Sequence, residues 1–231
     1  MEKYLISGIK GGLGKYLYDN LPNSIGFGRG EFDLVKNRDF DTIIHCAFNK
    51  EPHEIKDYYS YLEDNIFLTQ DLLKLPYKKF IYISTIDVYQ KHPNYYSLFK
   101  RFSESIVDKN INTLNLRCSM MLGPTMKPNH ATKLYDNINS IGLSPNSEFN
   151  YILMEDILKF INSHKYHLYK KSIDFISNSS LKLKELKHIF NSHTKLGNYT
   201  YEMNLDFTNP IYMLDPDFNK SSKTNIQTYF K

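Results

Sequence analysis

Short apolar runs and stretches of helical periodicity alternate through the first half of the chain. Tyr4 to Ser7 is apolar and ends at Gly8, after which Leu13, Leu17 and Leu21 recur at helical spacing until Pro22. This pattern predicts a strand, a tight turn and a helix. Ser24 to Phe27 predicts a second strand, closed by Gly28 and Gly30. Thr42 to Ala47 (TIIHCA) and Phe80 to Ser84 (FIYIS) are nearly continuous apolar runs, as expected of parallel strands covered on both faces. Between them, residues 54–74 place Tyr58, Leu62, Ile66 and Leu72 or Leu73 on one helical face, ending before Pro76. Ser97 to Val107 predicts another helix and Thr113 to Cys118 a fifth strand. The alternation predicts an α/β fold, a Rossmann-type, doubly wound parallel sheet with right-handed crossovers.

After Gly123-Pro124 the pattern weakens into loops rich in Asn, Ser and Pro, although Tyr151 to Ile161, Ile173 to Ile176 and a helix from about Leu183 to Phe190 still carry periodicity. The expected organisation is a nucleotide-binding core over 1–124 and a reduced C-terminal substrate-binding region over 125–231, folded onto the core with later elements returning to it. A chain of 231 residues suits one sizeable core with such an appendage. A net charge of +4 is too small for a dedicated nucleic-acid binder. Cys46 and Cys118 both fall in apolar strand-like runs, which predicts reduced thiols and a cytoplasmic place. Met1 to Ile9 holds too brief an apolar run for a leader, and no stretch reaches the roughly 18 apolar residues of a membrane span.

The glycines concentrate at the beginning of the sequence. Gly8-x-x-Gly11-x-x-Gly14 follows a predicted strand and opens a predicted helix, the context in which such a motif binds a dinucleotide. Gly8 permits the tight turn, Gly11 lets the backbone approach a pyrophosphate, and Gly14 lets helix and strand pack closely. Amides at the helix start would stabilise the phosphate charge. The end of the second strand reports on the adenosine ribose. Here Arg29 follows Gly28 and no carboxylate occurs until Glu31, which favours NADP over NAD. Asp33 is a further candidate at this end of the cofactor.

These glycines and the segments after them resemble the extended short-chain dehydrogenase/reductases, the NAD-dependent epimerase/dehydratase group. Asp41 to Ala47 is similar to that family's third-strand segment, with Ala47 passing the cofactor. Asn65 and Thr69 match its helical Asn and Thr, and Ser84-Thr85-Ile86-Asp87-Val88-Tyr89 its strand-four segment. Leu116-Arg117 with Gly123-Pro124, and Tyr151 to Ile157, resemble later motifs. The resemblance implies catalysis by Thr85, Tyr96 and Lys100, with Ala47, Asn65 and Lys100 also touching the cofactor. Tyr96 and Lys100 stand four residues apart, on one face of a helix. Lys100 and the positive nicotinamide of the oxidised cofactor are expected to lower the phenol's pKa, so that Tyr96 exchanges a proton with substrate while hydride moves to or from the nicotinamide. Thr85 would hydrogen-bond the reacting oxygen. The same spacing recurs at Tyr166 and Lys170, in a His- and Lys-rich stretch that reads as a solvated face.

Within that family a dehydratase carries an Asp-Glu pair after the catalytic Thr; Ile86 and Asp87 stand there in this sequence. Ile86 cannot protonate a leaving hydroxyl, which leaves reduction or epimerisation of a nucleotide sugar, and Arg29 tilts the choice toward a reductase. The resemblance also implies a homodimer. The short interval from Thr85 to Tyr96 and the dozen residues between the second and third strands imply a trimmed pocket, a smaller substrate, or closure by a partner subunit. The trimmed pocket equally suits a non-catalytic dinucleotide-binding sensor or scaffold of the same fold. No metal-ligand motif is expected: His164 and His167 could share a face, but the lysines around them read as solvated surface.

Overall fold

The computed structural model describes residues 2–49, 58–169, 171–203 and 207–231. The strands are β1 (Tyr4–Ser7), β2 (Ser24–Phe27), β3 (Phe40–His45), β4 (Tyr77–Thr85), β5 (Thr113–Cys118), β6 (Met120–Leu122), β7 (Ser140–Leu143), β8 (Glu148–Phe149), β9 (Tyr151–Leu153), β10 (Lys171–Phe175), β11 (Leu181–Lys182) and β12 (Lys195–Tyr199). The helices are α1 (Gly12–Asn20), α2 (Tyr58–Leu62), α3 (Leu68–Leu73), α4 (Tyr95–Val107), α5 (His130–Tyr135), α6 (Met154–Asn162), α7 (Leu183–Ile189), α8 (Ile211–Leu214) and α9 (Ser222–Tyr229).

Among the described residues, six strands form one sheet in the order β10-β5-β4-β3-β1-β2, all parallel. Side chains of a strand alternate between the two faces, and both faces here are apolar. Tyr4 and Ile6 of β1, with Ile81 and Ile83 of β4, join Leu13 and Leu17 of α1 and Ile157 and Phe160 of α6 in one core. Leu5, Phe80 and Tyr82 point the other way, into a second core with Leu72 of α3 and Val107 of α4. Burial on both sides is why these strands read as unbroken apolar runs. The Rossmann-type, doubly wound architecture therefore stands as expected.

The short link between β2 and β3 holds only a 3-10 turn at Phe32–Leu34. That turn carries the chain past β1, which lies between the two strands. The helix expected over 54–74 is observed from Tyr58 onward, and residues 54–57 of it lie outside the described residues. It is not uniform: a π-helical turn at Glu63–Phe67 separates α2 from α3. β10 closes the far edge of the sheet against β5. The small pairs β6-β9, β7-β12 and β8-β11 lie outside the sheet. A third core gathers Leu134, Phe149, Tyr151, Leu183, Leu186 and Ile226 from these later elements.

The strand order reverses between β1 and β3, where crevices form outside the carboxyl ends of the strands. Register sets Ser7 beside Phe27 and His45, and Thr85 beside Cys118. The glycine turn and Thr85 thus share one edge of the sheet.

Candidate active site

The turn from β1 into α1 has three glycines with three different surroundings. Gly8 has φ +76°, and a methyl added there would stand 2.8 Å from the Ala47 backbone. Ala47 therefore lies where its strand passes the loop. A methyl at Gly14 would stand 2.4 Å from the Gly8 carbonyl oxygen, so only glycine lets α1 sit this close to β1. Gly11 is the N-cap residue of α1, and a methyl there meets nothing within 4 Å. That open position is a cradle that a side chain would fill. The first intrahelical bond runs from the Lys15 amide to the Gly11 carbonyl, so the amides before it lack intrahelical acceptors. The Gly12 amide instead donates to the Thr125 carbonyl at 3.0 Å, and the Thr125 hydroxyl donates to the Gly12 carbonyl at 2.7 Å. Leu13 and Gly14 still present first-turn amides to an anion, as the helix dipole favours.

At the end of β2, Arg29 pairs with Asp64 at 2.6 Å, its guanidinium largely exposed. Asp33 lies on the 3-10 turn and pairs with Lys36, so it is not joined to Arg29. The carboxylate at the strand end is Glu31, which accepts from the Gly28 amide at 2.6 Å and meets Lys10 at 3.3 Å. That backbone bond, with Lys10, holds the Glu31 carboxyl below its usual value. Lys10, absent from the expected set, lies so close over Gly28 that an added methyl there would meet its stem at 2.5 Å.

Thr85 ends β4 and caps the following turn, accepting from the Asp87 amide at 3.2 Å. Asn94 starts α4 by accepting from the Ser97 amide at 3.0 Å. This brings Tyr96 to the strand end, where its phenol feels both the Thr85 hydroxyl and the Asp87 carboxylate. Burial pushes the phenol well above its ordinary pKa; the Asp87 charge adds to this and Thr85 opposes it. The lowering expected from Lys100 together with an oxidised nicotinamide belongs to the cofactor-bound site; in the protein alone desolvation sets the direction. Lys100 is buried, donates to the Ile83 carbonyl at 2.6 Å, and sits 4.2 Å from the Phe48 ring and 4.5 Å from Tyr82. The Phe48 ring also packs edge-on against Tyr96 at 5.2 Å. Asp87 accepts from the Tyr201 phenol at 2.5 Å, which brings the C-terminal region to this edge.

A buried polar chain supports the floor. Ser7 Oγ accepts from the Cys46 and Ala47 amides at 3.1 Å each, so its own proton goes to His45 Nδ1 at 2.7 Å. His45 Nε2–H then donates to Thr69 at 2.9 Å, and Thr69 donates to the Asn65 carbonyl at 2.8 Å. This donor arithmetic fixes the His45 tautomer. Burial, with Lys100 nearby, drops the His45 pKa to about 3, and the ring stays neutral. The Asn65 amide accepts from the Asn49 amide at 2.7 Å and donates to its carbonyl at 3.0 Å. Asn65 thus holds the backbone after β3, within the π-helical turn. Such turns recur at functional sites.

Tyr166 is fully buried, not part of a solvated face, because the 3-10 turn Lys165–Leu168 rotates it inward while its neighbours stay outside. Lys170 lies outside the described residues. A buried cluster also went unforeseen: Arg117 forks onto Glu104 at 2.8 Å and donates to Tyr89 at 2.6 Å, and Tyr89 donates to Asp174 at 2.8 Å. Its members come from four distant segments, and no local pattern joins them. Cys46 and Cys118 are free thiols. Among the described residues no helix is long and apolar enough to cross a membrane.

No protein-family model matches the chain, and no curated protein matches it in sequence. Solved structures match in fold. A dTDP-4-dehydrorhamnose reductase from Bacillus anthracis, in complex with NADP, superposes at TM-score 0.74 and 16% identity, over 99% of this chain and 98% of that one. The enzyme of the same name from Yersinia enterocolitica gives TM-score 0.75 and 16% identity, over 100% and 99%. A UDP-N-acetylglucosamine 4-epimerase from Methanobrevibacter ruminantium, in complex with UDP-N-acetylmuramic acid, gives 0.70 and 15%, over 98% and 99%. The likeness is one of fold: a single Rossmann-type sheet and its additions, shared from end to end.

Proposed function

We propose that the chain is an NAD(P)-dependent oxidoreductase of the extended short-chain type, acting on a carbonyl or hydroxyl carbon of a nucleotide-linked sugar, with reduction favoured over epimerisation. The observation that carries this reading is the convergence of Thr85, Tyr96 and Lys100 at the end of β4, on the sheet edge that also bears the open turn at Gly11. The nucleotide-sugar reductases and epimerase that share the fold support it.

Gly8, Gly11 and Gly14 would hold the cofactor's diphosphate on the amides of α1, with Ala47 passing beneath. Arg29 and Lys10 would meet a 2′-phosphate, which is why NADP is preferred over NAD. Asp33 retains its proposed place only toward the adenosine end, and Asn65 acts through the Asn49 backbone. Lys100 would reach the nicotinamide ribose once the Phe48 ring swings off the ammonium. The cofactor supplies the hydride.

The protein supplies the proton. Hydride addition to a carbonyl leaves an alkoxide, which takes the Tyr96 proton while Thr85 donates a hydrogen bond to the same oxygen. Burial keeps Tyr96 protonated at neutral pH, the state that reduction needs. Ile86 offers no acid for water loss. Residues 125–231 would form the substrate side, with Tyr201 entering through Asp87. Exposed Tyr58, Tyr59 and Phe67, together with Tyr95, Leu98 and Phe102 of α4, suit a homodimer. The free thiols suit a cytoplasmic place.

Incubation with NADPH and a panel of nucleotide keto-sugars, followed at the nicotinamide absorbance, tests the reading. Turnover is expected to fall about 100-fold or more in Tyr96→Phe while cofactor binding persists. Failure of both NAD and NADP to bind the folded protein would overturn it.

A further inference from the structure

At the opposite end of β1 from the glycine turn, three side chains converge that the sequence keeps far apart. Glu2 Oε2 meets His164 Nδ1 at 2.7 Å, and Glu2 Oε1 meets His167 Nε2 at 3.8 Å. One ligand atom from each of Glu2, His164 and His167 lies within 4.8 Å of the others. We propose that this cluster binds a divalent transition-metal ion of the zinc type.

The donor set fits such an ion. Two imidazoles and one carboxylate suit Zn²⁺, Co²⁺ or Ni²⁺ and are poorly matched to Mg²⁺ or Ca²⁺, which favour oxygen ligands throughout. Bonds of about 2.0–2.1 Å at tetrahedral angles place ligand atoms roughly 3.3 Å apart. The observed separations straddle that value, so small side-chain rotations complete the site. His164 and His167 are brought to one side by the 3-10 turn Lys165–Leu168, which His164 caps in the left-handed region at φ 55° and which contains His167.

The carboxylate is oriented from behind. Glu2 Oε1 accepts from the Tyr166 phenol at 2.7 Å and from the Thr42 hydroxyl, and its other oxygen accepts from Tyr4 at 3.4 Å. Outer hydrogen bonds of this kind fix a ligand carboxylate and tune its affinity. The imidazoles are about half exposed while Glu2 is largely shielded, which leaves an approach from solvent. A cleft of about 330 Å³ opens alongside, lined by Glu2, Asp41, Lys78 and His167. It has room for the water that completes a three-ligand site. Two ammoniums stand nearby: Lys78 on the cleft is held by Asp41 at 2.7 Å, and Lys79, which acts on His167, donates to the Tyr169 carbonyl at 2.8 Å; Glu2 supplies the countercharge. A bound ion would tie the segment before β1 to the connection between α6 and β10, away from the proposed cofactor edge.

Calorimetric titration of the chelator-treated, full-length protein with Zn²⁺ tests this. One equivalent is expected to bind saturably. Co²⁺ should give the intense visible bands of a tetrahedral site, and Mg²⁺ should not compete. His167→Ala and His164→Asn should each weaken Zn²⁺ at least about tenfold; asparagine tolerates the left-handed backbone at 164. A His188→Ala/His193→Ala control should bind as the parent does. Circular dichroism establishes that the exposed substitutions leave the fold intact. Absence of saturable Zn²⁺ binding overturns the proposal, as does undiminished binding in the His164→Asn/His167→Ala protein. NADPH affinity measured with and without Zn²⁺ should be unchanged.

Discussion

Gly14 lies against Gly8 so closely that a methyl on its Cα would stand 2.4 Å from the Gly8 carbonyl oxygen, whereas a methyl on Gly11 meets nothing within 4 Å. Substitution should separate the two roles. Gly14→Ala forces α1 away from β1 and is expected to cost about 1–3 kcal/mol of stability, the usual range for overpacking. Gly11→Ala should leave the thermal midpoint unchanged, because its backbone is extended and its surroundings are open. It should nevertheless weaken NADPH binding about tenfold or more, by occupying the space of the diphosphate. Thermal melts and cofactor fluorescence titration read the two effects. Undiminished binding in Gly11→Ala would place the diphosphate elsewhere.

Tyr96 is the proposed proton donor, and burial raises its pKa. A raised acid stays protonated across neutral pH, so reduction should run at an even rate from about pH 6 to about pH 9. The reverse oxidation, which needs the phenolate, should climb with pH throughout that range. Tyr96→Phe should lower kcat about 100-fold or more with little change in cofactor affinity, and Thr85→Val less. A reduction rate that rises steeply with pH would show that Tyr96 is not the acid.

The inner strands of the sheet were legible because they are buried on both faces: Leu5 and Ile6 point to opposite cores and both had to be apolar. The glycine turn was legible because backbone geometry there admits little else. Tyr96 and Lys100 were proposed from their spacing and the family resemblance, and neither carries information on burial, so the desolvation of the phenol was not foreseen. Phe48 escaped because an aromatic residue after a strand looks like ordinary core. Thr125 reaches Gly12, and Tyr201 reaches Asp87, across loops without periodicity. Tyr166 misled because its charged neighbours set the local composition while a tight turn sends this one ring inward.

Arg29 is exposed and pairs with Asp64 only at the surface, where such a pair is worth about 1 kcal/mol or less. The guanidinium is therefore available to exchange Asp64 for a phosphate. Arg29→Ala is expected to weaken NADPH about 10-fold, as loss of a charge-assisted hydrogen bond does, and to leave NADH nearly unaffected. Lys10→Ala should act in the same direction and add to it. Equal losses for both cofactors would show that neither cation reads the 2′-phosphate.

Two buried imidazoles set the acid limb of stability. His45 sits between Ser7 and Thr69; His130 packs tilted against Phe149 with centroids 3.8 Å apart and meets the Tyr151 phenol at 2.6 Å. Burial lowers both pKa values to about 3. Above about pH 6.5 both rings are neutral whether the chain is folded or unfolded, and the full stability is present. As the pH falls below that value, the unfolded chain takes up protons that the folded protein refuses. Stability is then lost progressively down to about pH 3, at up to about 1.4 kcal/mol per pH unit for each histidine. Urea midpoints should therefore fall steadily between about pH 6.5 and about pH 5, before the carboxylates begin to titrate. Two of the eight imidazoles should show no protonation by NMR in that interval, one of them carrying its proton on Nε2. Midpoints that hold constant on acidification, or a full set of histidines titrating near 6.5, would contradict the neutral chain beneath the glycine turn.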